Sequence, residues 1–349
     1  YFVNPDRFLY APGFAWFTTP LGAMPRSWAL ALWCLLKIFV LIASVDRVAR
    51  ACSPAHSGKV AAIAALFIAR PLLIDFQYGQ VNLMILGACV WALYGDQRRF
   101  GSWLVLGWLA VSKLMALPLL AVPWLVGREG RPARLGAVVG VASIVLVPFL
   151  ALGLGGGFQL LIDWKGAIQS RGFPLESHNQ SFPALLHHYF SGSPTWFNML
   201  ARFKDYSVGL RLEPRELQLL SAAWGALSAG TLLGWLLSTK RRADQARWAA
   251  VAIALLIVPS HLVWKPYFVM SMPVAAVVAA DALRMAGRDA VWRWLVLGVA
   301  FAAMNLTGFD LIGHAAASRF EASAVFLLSH LAVTALAASG GSERSRKKR

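Results

Sequence analysis

The chain has 349 residues, 58% of them hydrophobic and 14% charged, with a mean hydropathy of +0.59. A soluble domain carries about a quarter charged residues, so a water-soluble globule is excluded and a polytopic membrane protein is expected. The net charge of +17 would suggest nucleic acid in a soluble chain; here Lys and Arg cluster between apolar runs, where they set orientation in the bilayer, and no nucleic-acid partner is expected.

Tyr1 rather than Met opens the chain, and a first helix upstream of it is expected to be missing. Residues 1–27 mix aromatics with Pro12, Pro20 and Pro25 and read as an extramembrane segment dipping into the interface. Residues 28–45 form the first apolar span; Lys37 within it either snorkels or faces the bundle interior. Arg47, Arg50 and Lys59 mark a cytoplasmic loop. Residues 60–74 then run outward and 83–93 return. Between them lies Asp75-Phe76-Gln77-Tyr78-Gly79-Gln80-Val81-Asn82, richer in amides than a solvated turn requires. Its side chains and backbone need partners at the membrane surface or in a protein-lined cavity.

Residues 101–126 read as a hairpin of half-length helices broken near Lys113, because Arg98, Arg99, Arg128, Arg131 and Arg134 flank both ends. Lys113 then belongs to a cavity or snorkels. Residues 135–154 go outward to the long polar stretch 155–213, which shows no obvious regular structure and is expected to be an extracytoplasmic loop region. It holds the run Ser177 to Ser181 and the pair His187 and His188, expected at an amphipathic helix edge on the outer surface. Residues 217–237 return to Lys240, Arg241, Arg242 and Arg247. Residues 248–258 lead to an outer corner at 259–267, with His261, Trp264 and Lys265. Residues 268–283 come back to Arg284, Arg288 and Arg293, 294–306 exit, 308–321 lie outside, and 322–338 return to a basic cytoplasmic tail at 340–349. The fold expected is all-α: a transmembrane helix bundle forming one integral membrane domain over 1–349.

In this topology the segments rich in amides and aromatics share the side away from the basic clusters. Gln77, Gln80, Asn82, Asn179, Gln180 and Trp264 have the chemistry of a sugar site, since amides bond hydroxyls and an indole covers a pyranose face. Lys113 and Lys265 suit a phosphate or diphosphate. Sugar transfer needs a carboxylate to take the acceptor proton. Among the outer acids Asp6, Asp75, Asp163, Glu176, Asp205, Glu213, Glu216, Asp310 and Glu321, Asp75 is best placed by sequence. It reads equally well as an N-cap or a partner for Arg70. His178, His187 and His188 lack zinc-site spacing, and Cys34, Cys52 and Cys89 suggest neither a metal site nor a disulfide framework.

Five places resemble glycosyltransferase family 87, the polyprenyl-phosphate-mannose-dependent mannosyltransferases of the GT-C membrane fold. Phe8-Leu9-Tyr10-Ala11-Pro12, followed by Thr19-Pro20-Leu21, resembles its aromatic Tyr-Pro-Pro segment. Gly79-Gln80-Val81-Asn82 resembles its Gly-Gln-x-Asn motif. Leu109-Ala110-Val111-Ser112-Lys113 with Pro118, the loop Asn179-Gln180-Ser181, and the corner at Trp264 resemble three more. The order and spacing of these motifs cover roughly residues 8–283. The family's proposed catalytic aspartate falls upstream of Tyr1. His261 stands where the family usually has Pro, and Pro266 and Tyr267 where it often has His.

The resemblance implies an inverting enzyme of the plasma (inner) membrane that is active on the extracytoplasmic side. It would move a hexose, mannose by the resemblance, from a polyprenyl-phosphate carrier to a lipid or glycan acceptor. Tyr10, Gln80, Asn82, Lys113, Asn179, Gln180, His261, Trp264 and Lys265 are the substrate-binding candidates, and Asp75 the one candidate base within the chain. No nucleotide sugar is expected, no metal ligands are assigned, and a role for a divalent ion stays open. The alternative is a non-enzymatic lipid-linked-sugar transporter or scaffold, which would share the amides and lysines but need no base.

Overall fold

A computed structural model describes residues 10–95, 99–125, 130–170, 178–197, 202–204, 206, 208, 210–238 and 244–340. Asp6, Phe8, Leu9, Arg98, Arg128, Glu176, Ser177, Asp205, Lys240, Arg241, Arg242 and the basic tail from 341 onward lie outside the described residues. The packing groups the chain into two compact units, 1–44 with 78–172 and 45–77 with 173–349.

The first unit contains α1 (Pro12–Gly22), most of α2 (Arg26–Cys52), α5 (Asn82–Tyr94), α6 (Phe100–Ser112), a 3-10 helix (Leu114–Ala121), α7 (Val122–Leu125) and α8 (Arg131–Ser170). Along α2, Lys37, Val40 and Ser44 are buried at three- and four-residue spacing, while Trp28, Leu35, Phe39 and Ile42 are exposed. One face packs and the other is fit for lipid. Lys37 is fully buried, so it faces the interior.

Helices α6 and α8 meet through glycines. A Cβ on Gly107 would lie 2.9 Å from the Ala137 carbonyl oxygen, and one on Gly136 or Gly140 would strike the carbonyls of Phe100 or Leu104. Small residues let backbones approach this closely where lipid provides no hydrophobic drive. The apolar part of α8 runs 37 residues, about 55 Å at 1.5 Å per residue and far more than a bilayer core needs. Gly153, at φ 72°, breaks it. A glycine is needed there because an L side chain resists that conformation.

The second unit contains α3 (Ser57–Phe67), α4 (Ala69–Gln77), α9 (Phe182–Phe190), the antiparallel strands β1 (Thr195–Phe197) and β2 (Arg202–Lys204), α10 (Pro214–Leu236), α11 (Gln245–Leu255), a 3-10 helix (Lys265–Ser271), α12 (Met272–Arg284), α13 (Arg288–Asn305), α14 (Phe309–Ala322) and α15 (Val325–Ser339). The core is α12, buried at every residue from Met272 to Ala282 and packed on α3, α11, α13 and α15. A helix apolar all round belongs in such a place. At its end Arg247 is nearly enclosed. It donates to both Asp281 carboxylate oxygens at 2.9 and 3.0 Å, to Asp244 at 3.1 Å and to the Ala337 carbonyl at 2.6 Å.

Among the described residues, four helices, Arg26–Cys52, Arg131–Ala167, Pro214–Leu236 and Lys265–Arg284, are long and apolar enough to cross a membrane. The count reaches six if each bent pair is one span: α3 with α4, bent by 59°, and α13 with α14, bent by 94°. Half-length helices, expected around Lys113, are thus a recurrent feature. The stretch 155–213 has more regular structure than its composition suggests: α8 continues to Ser170, and α9 and the two strands follow. The three consecutive glycines at 155–157 do not stop the helix, despite a propensity deficit of about 1 kcal/mol per glycine.

Candidate active site

In the first unit, three segments bring Tyr10, Gln80, Asn82 and Lys113 together. Gly79 adopts φ 58° just before α5 and turns the chain there. The motif needs a glycine at that point because the left-handed region excludes most side chains. Asn82 is the first residue of α5 and fully buried. Lys113 is extended, with φ −143° and ψ 97°, between α6 and the 3-10 helix that follows. Pro118 lies within that 3-10 helix, where a continued α-helix would lose a hydrogen bond. The Ala11 amide donates to the Ser112 carbonyl at 3.3 Å, which carries Tyr10 beside the break.

The Lys113 ammonium donates to Asn82 Oδ1 at 2.6 Å and reaches Gln80 Oε1 at 3.5 Å. The Tyr10 hydroxyl donates to the same Gln80 oxygen at 2.9 Å. Asn82 is enclosed, whereas Tyr10, Gln80 and Lys113 are half-buried. Among the described residues, amide oxygens orient the ammonium, and a phenol shares one of them.

In the second unit, Asn179, Gln180 and Ser181 form a clasp on the corner at 261–263. The Gln180 amide donates to the Val263 carbonyl at 2.7 Å, and the Val263 amide donates to Asn179 Oδ1 at 3.1 Å. Asn179 Nδ2 and Ser181 Oγ donate to the His261 carbonyl at 3.0 and 2.9 Å. Ser181 also caps α9 by accepting from the Ala184 amide at 3.2 Å. Gln180 Nε2 donates to the Glu321 carbonyl at 2.8 Å, so the clasp reaches the turn between α14 and α15. His261 takes part through its backbone, with its side chain exposed, and Trp264 is half-buried beside the clasp.

Beneath the clasp is a carboxylate that the sequence does not single out. Glu321 accepts from Lys265 on Oε1 and from His178 Nδ1 on Oε2, the latter at 3.2 Å. Arg70 Nη2 stands 3.9 Å from Oε1. Arg70 also donates to Thr307 at 3.1 Å, and its guanidinium lies 5.3 Å from the Phe326 ring centroid. The available signal was an arginine inside an apolar run and an acid at the end of an outer segment, but nothing in the sequence pairs them.

Two expectations change. Asp75 lies in the last turn of α4 and is fully buried, so it is no N-cap, and Arg70 pairs with Glu321 instead. His188 is buried in α9, with Nδ1 3.1 Å from the Ala322 carbonyl oxygen, because the apolar face of that short helix turns it inward. His187 is pushed below its ordinary range by burial. Among the described residues, no three His, Cys, Asp or Glu side chains gather as metal ligands.

The sequence profile of glycosyltransferase family 87 matches residues 8–263. This chain belongs to glycosyltransferase family 87. With its apolar helices, this member of glycosyltransferase family 87 is a membrane protein. It is similar to the polyprenol-phosphate-mannose-dependent alpha-(1-2)-phosphatidylinositol pentamannoside mannosyltransferase of Mycobacterium tuberculosis (strain CDC 1551 / Oshkosh), with 27% identity over 301 residues and 84% of this chain covered. The family member described here spans 64% of that relative's length. No solved structure matches it. The Lys113 cluster and the Asn179 clasp both fall within the matched region, whereas Lys265 and Glu321 lie beyond it.

Proposed function

We propose that the protein is a hexosyltransferase that takes mannose from a polyprenyl-phosphate carrier and gives it, with inversion, to a lipid or glycan acceptor on the extracytoplasmic side. The observation that carries this reading is Lys113, held by Asn82 and Gln80 at a helix break inside the family-matched region. In the donor a phosphate joins sugar and polyprenyl chain. When the sugar's C1–O bond breaks, that phosphate leaves with the electron pair and its charge grows. An ammonium fixed beside it stabilises that growth. The acceptor hydroxyl must lose a proton to a base, a role that suits a carboxylate. The bilayer supplies the polyprenyl chain's surroundings, and the sequence pattern, with Lys and Arg clustered in the alternate loops expected on the cytoplasmic side, supports the extracytoplasmic orientation.

The test is transfer of radiolabelled mannose from polyprenyl-phosphate mannose to phosphatidylinositol mannosides by the full-length protein in membranes. Labelled glycolipid product that is lost in Lys113→Met supports the reading. Donor binding with no product in any acceptor fraction would point to the transporter or scaffold instead.

A further inference from the structure

The His178 ring is fixed at two points. Its neighbour Asn179 is clasped to 261–263 through both atoms of its amide, and its own Nδ1 lies 3.2 Å from Glu321 Oε2. Lys265 occupies the other oxygen of that carboxylate. A carboxylate held between an ammonium and an imidazole accepts from both, so Nδ1 donates, and in the neutral ring Nε2 carries the lone pair. Among the described residues Nε2 has no hydrogen-bond partner, and it is not one of the enclosed polar atoms. The Glu321 and Lys265 side chains are each 10% exposed and that of His178 is 22% exposed, so His178 is the accessible member of the group.

We propose that His178 is a substrate-binding residue whose Nε2 accepts a hydrogen bond from a sugar hydroxyl, with Glu321 as the positioning residue that sets its tautomer. A neutral ring nitrogen with a carboxylate behind it suits a hydroxyl, which brings its own proton, and disfavours a phosphate, which brings negative charge. The fixed ring has little rotamer freedom left to lose on binding, which is how positioned groups gain selectivity. This inference rests on the glycosyl-transfer reading and extends it from the phosphate to the sugar.

The experiment uses the full chain in lipid nanodiscs. Diethyl pyrocarbonate modifies accessible, unprotonated imidazole nitrogens, and mass spectrometry locates the adducts. The expected result is modification of His178, suppressed by methyl α-mannoside or by a phosphatidylinositol mannoside, with the exposed His314 as an unprotected control. An unmodified His178, or one modified equally with and without both glycans, overturns the proposal. In kinetics, His178→Ala should raise KM at least tenfold for one substrate, and His178→Gln, which keeps an acceptor oxygen, should recover part of it. A rise for the donor assigns the hydroxyl to the transferred sugar, and a rise for the acceptor assigns it to the receiving glycan. Equal KM values for both substrates in folded His178→Ala overturn the proposal. If His178→Ala does not fold, the footprint on the unmodified chain decides. A wild-type chain that transfers nothing yet shows glycan protection at His178 sinks the transfer reading and leaves this one standing.

Discussion

Replacing Lys113 with Met keeps most of the side chain's bulk and removes its charge. In the structure the ammonium is aimed by Asn82 Oδ1 at 2.6 Å and Gln80 Oε1 at 3.5 Å. A unit charge at 4 Å from a phosphate oxygen is worth about 4 kcal/mol at an effective dielectric of ~20. Desolvation offsets part of that, and a net charge-assisted hydrogen bond contributes about 1.5–3 kcal/mol. At about 1.4 kcal/mol per tenfold, kcat/KM should fall roughly 10- to 150-fold. The loss should sit mainly in kcat, because the phosphate is a singly charged diester before the C1–O bond breaks and gains charge as it leaves. Lys113→Arg keeps the charge but not the fit between two amides, and should fall between wild type and Met. The assay is initial-rate mannose transfer at several donor concentrations, with folded protein measured by detergent chromatography. A folded Lys113→Met protein whose kcat/KM stays within threefold of wild type would refute the reasoning.

Other substitutions separate architecture from chemistry. Asn179→Ala removes three hydrogen bonds of the clasp and should cost about 2–4 kcal/mol, seen as a lower melting temperature in detergent. Glu321→Ala leaves the buried Lys265 without its carboxylate and should cost about 3–5 kcal/mol. Adding Lys265→Met should recover much of that loss, and a double-mutant cycle on thermal melts checks it. Gly140→Val drives a side chain into the Leu104 carbonyl where α6 meets α8 and should sharply reduce folded yield. Gly155→Ala, which meets no neighbouring atom, should be neutral or stabilising by up to about 1 kcal/mol in the same expression and melting comparison.

The helical character of the chain was legible because its apolar runs and basic punctuation are strong signals, and the break at Lys113 followed from charge placement alone. The gathering of Tyr10, Gln80, Asn82 and Lys113 was legible as a set of motifs, though not as a geometry. What the sequence hides is how polar groups are shared between chemistry and backbone. Asn179 and Gln180 read as sugar-binding amides, yet the structure uses all four of their side-chain heteroatoms on backbone groups of 181, 261, 263, 321 and 326. The physical reason lies in the solvent. An irregular corner in or near a bilayer leaves amides and carbonyls that water does not reach, and each must be paired within the protein. The role of Glu321 was not legible for a related reason: its partners Arg70, His178 and Lys265 lie far apart in sequence. A polar residue in such a protein is therefore a better site candidate when some of its hydrogen-bonding capacity is left over. By that criterion Asn179, with both side-chain heteroatoms engaged on backbone, is the weaker candidate, and His178, whose Nε2 has no partner among the described residues, is the stronger one.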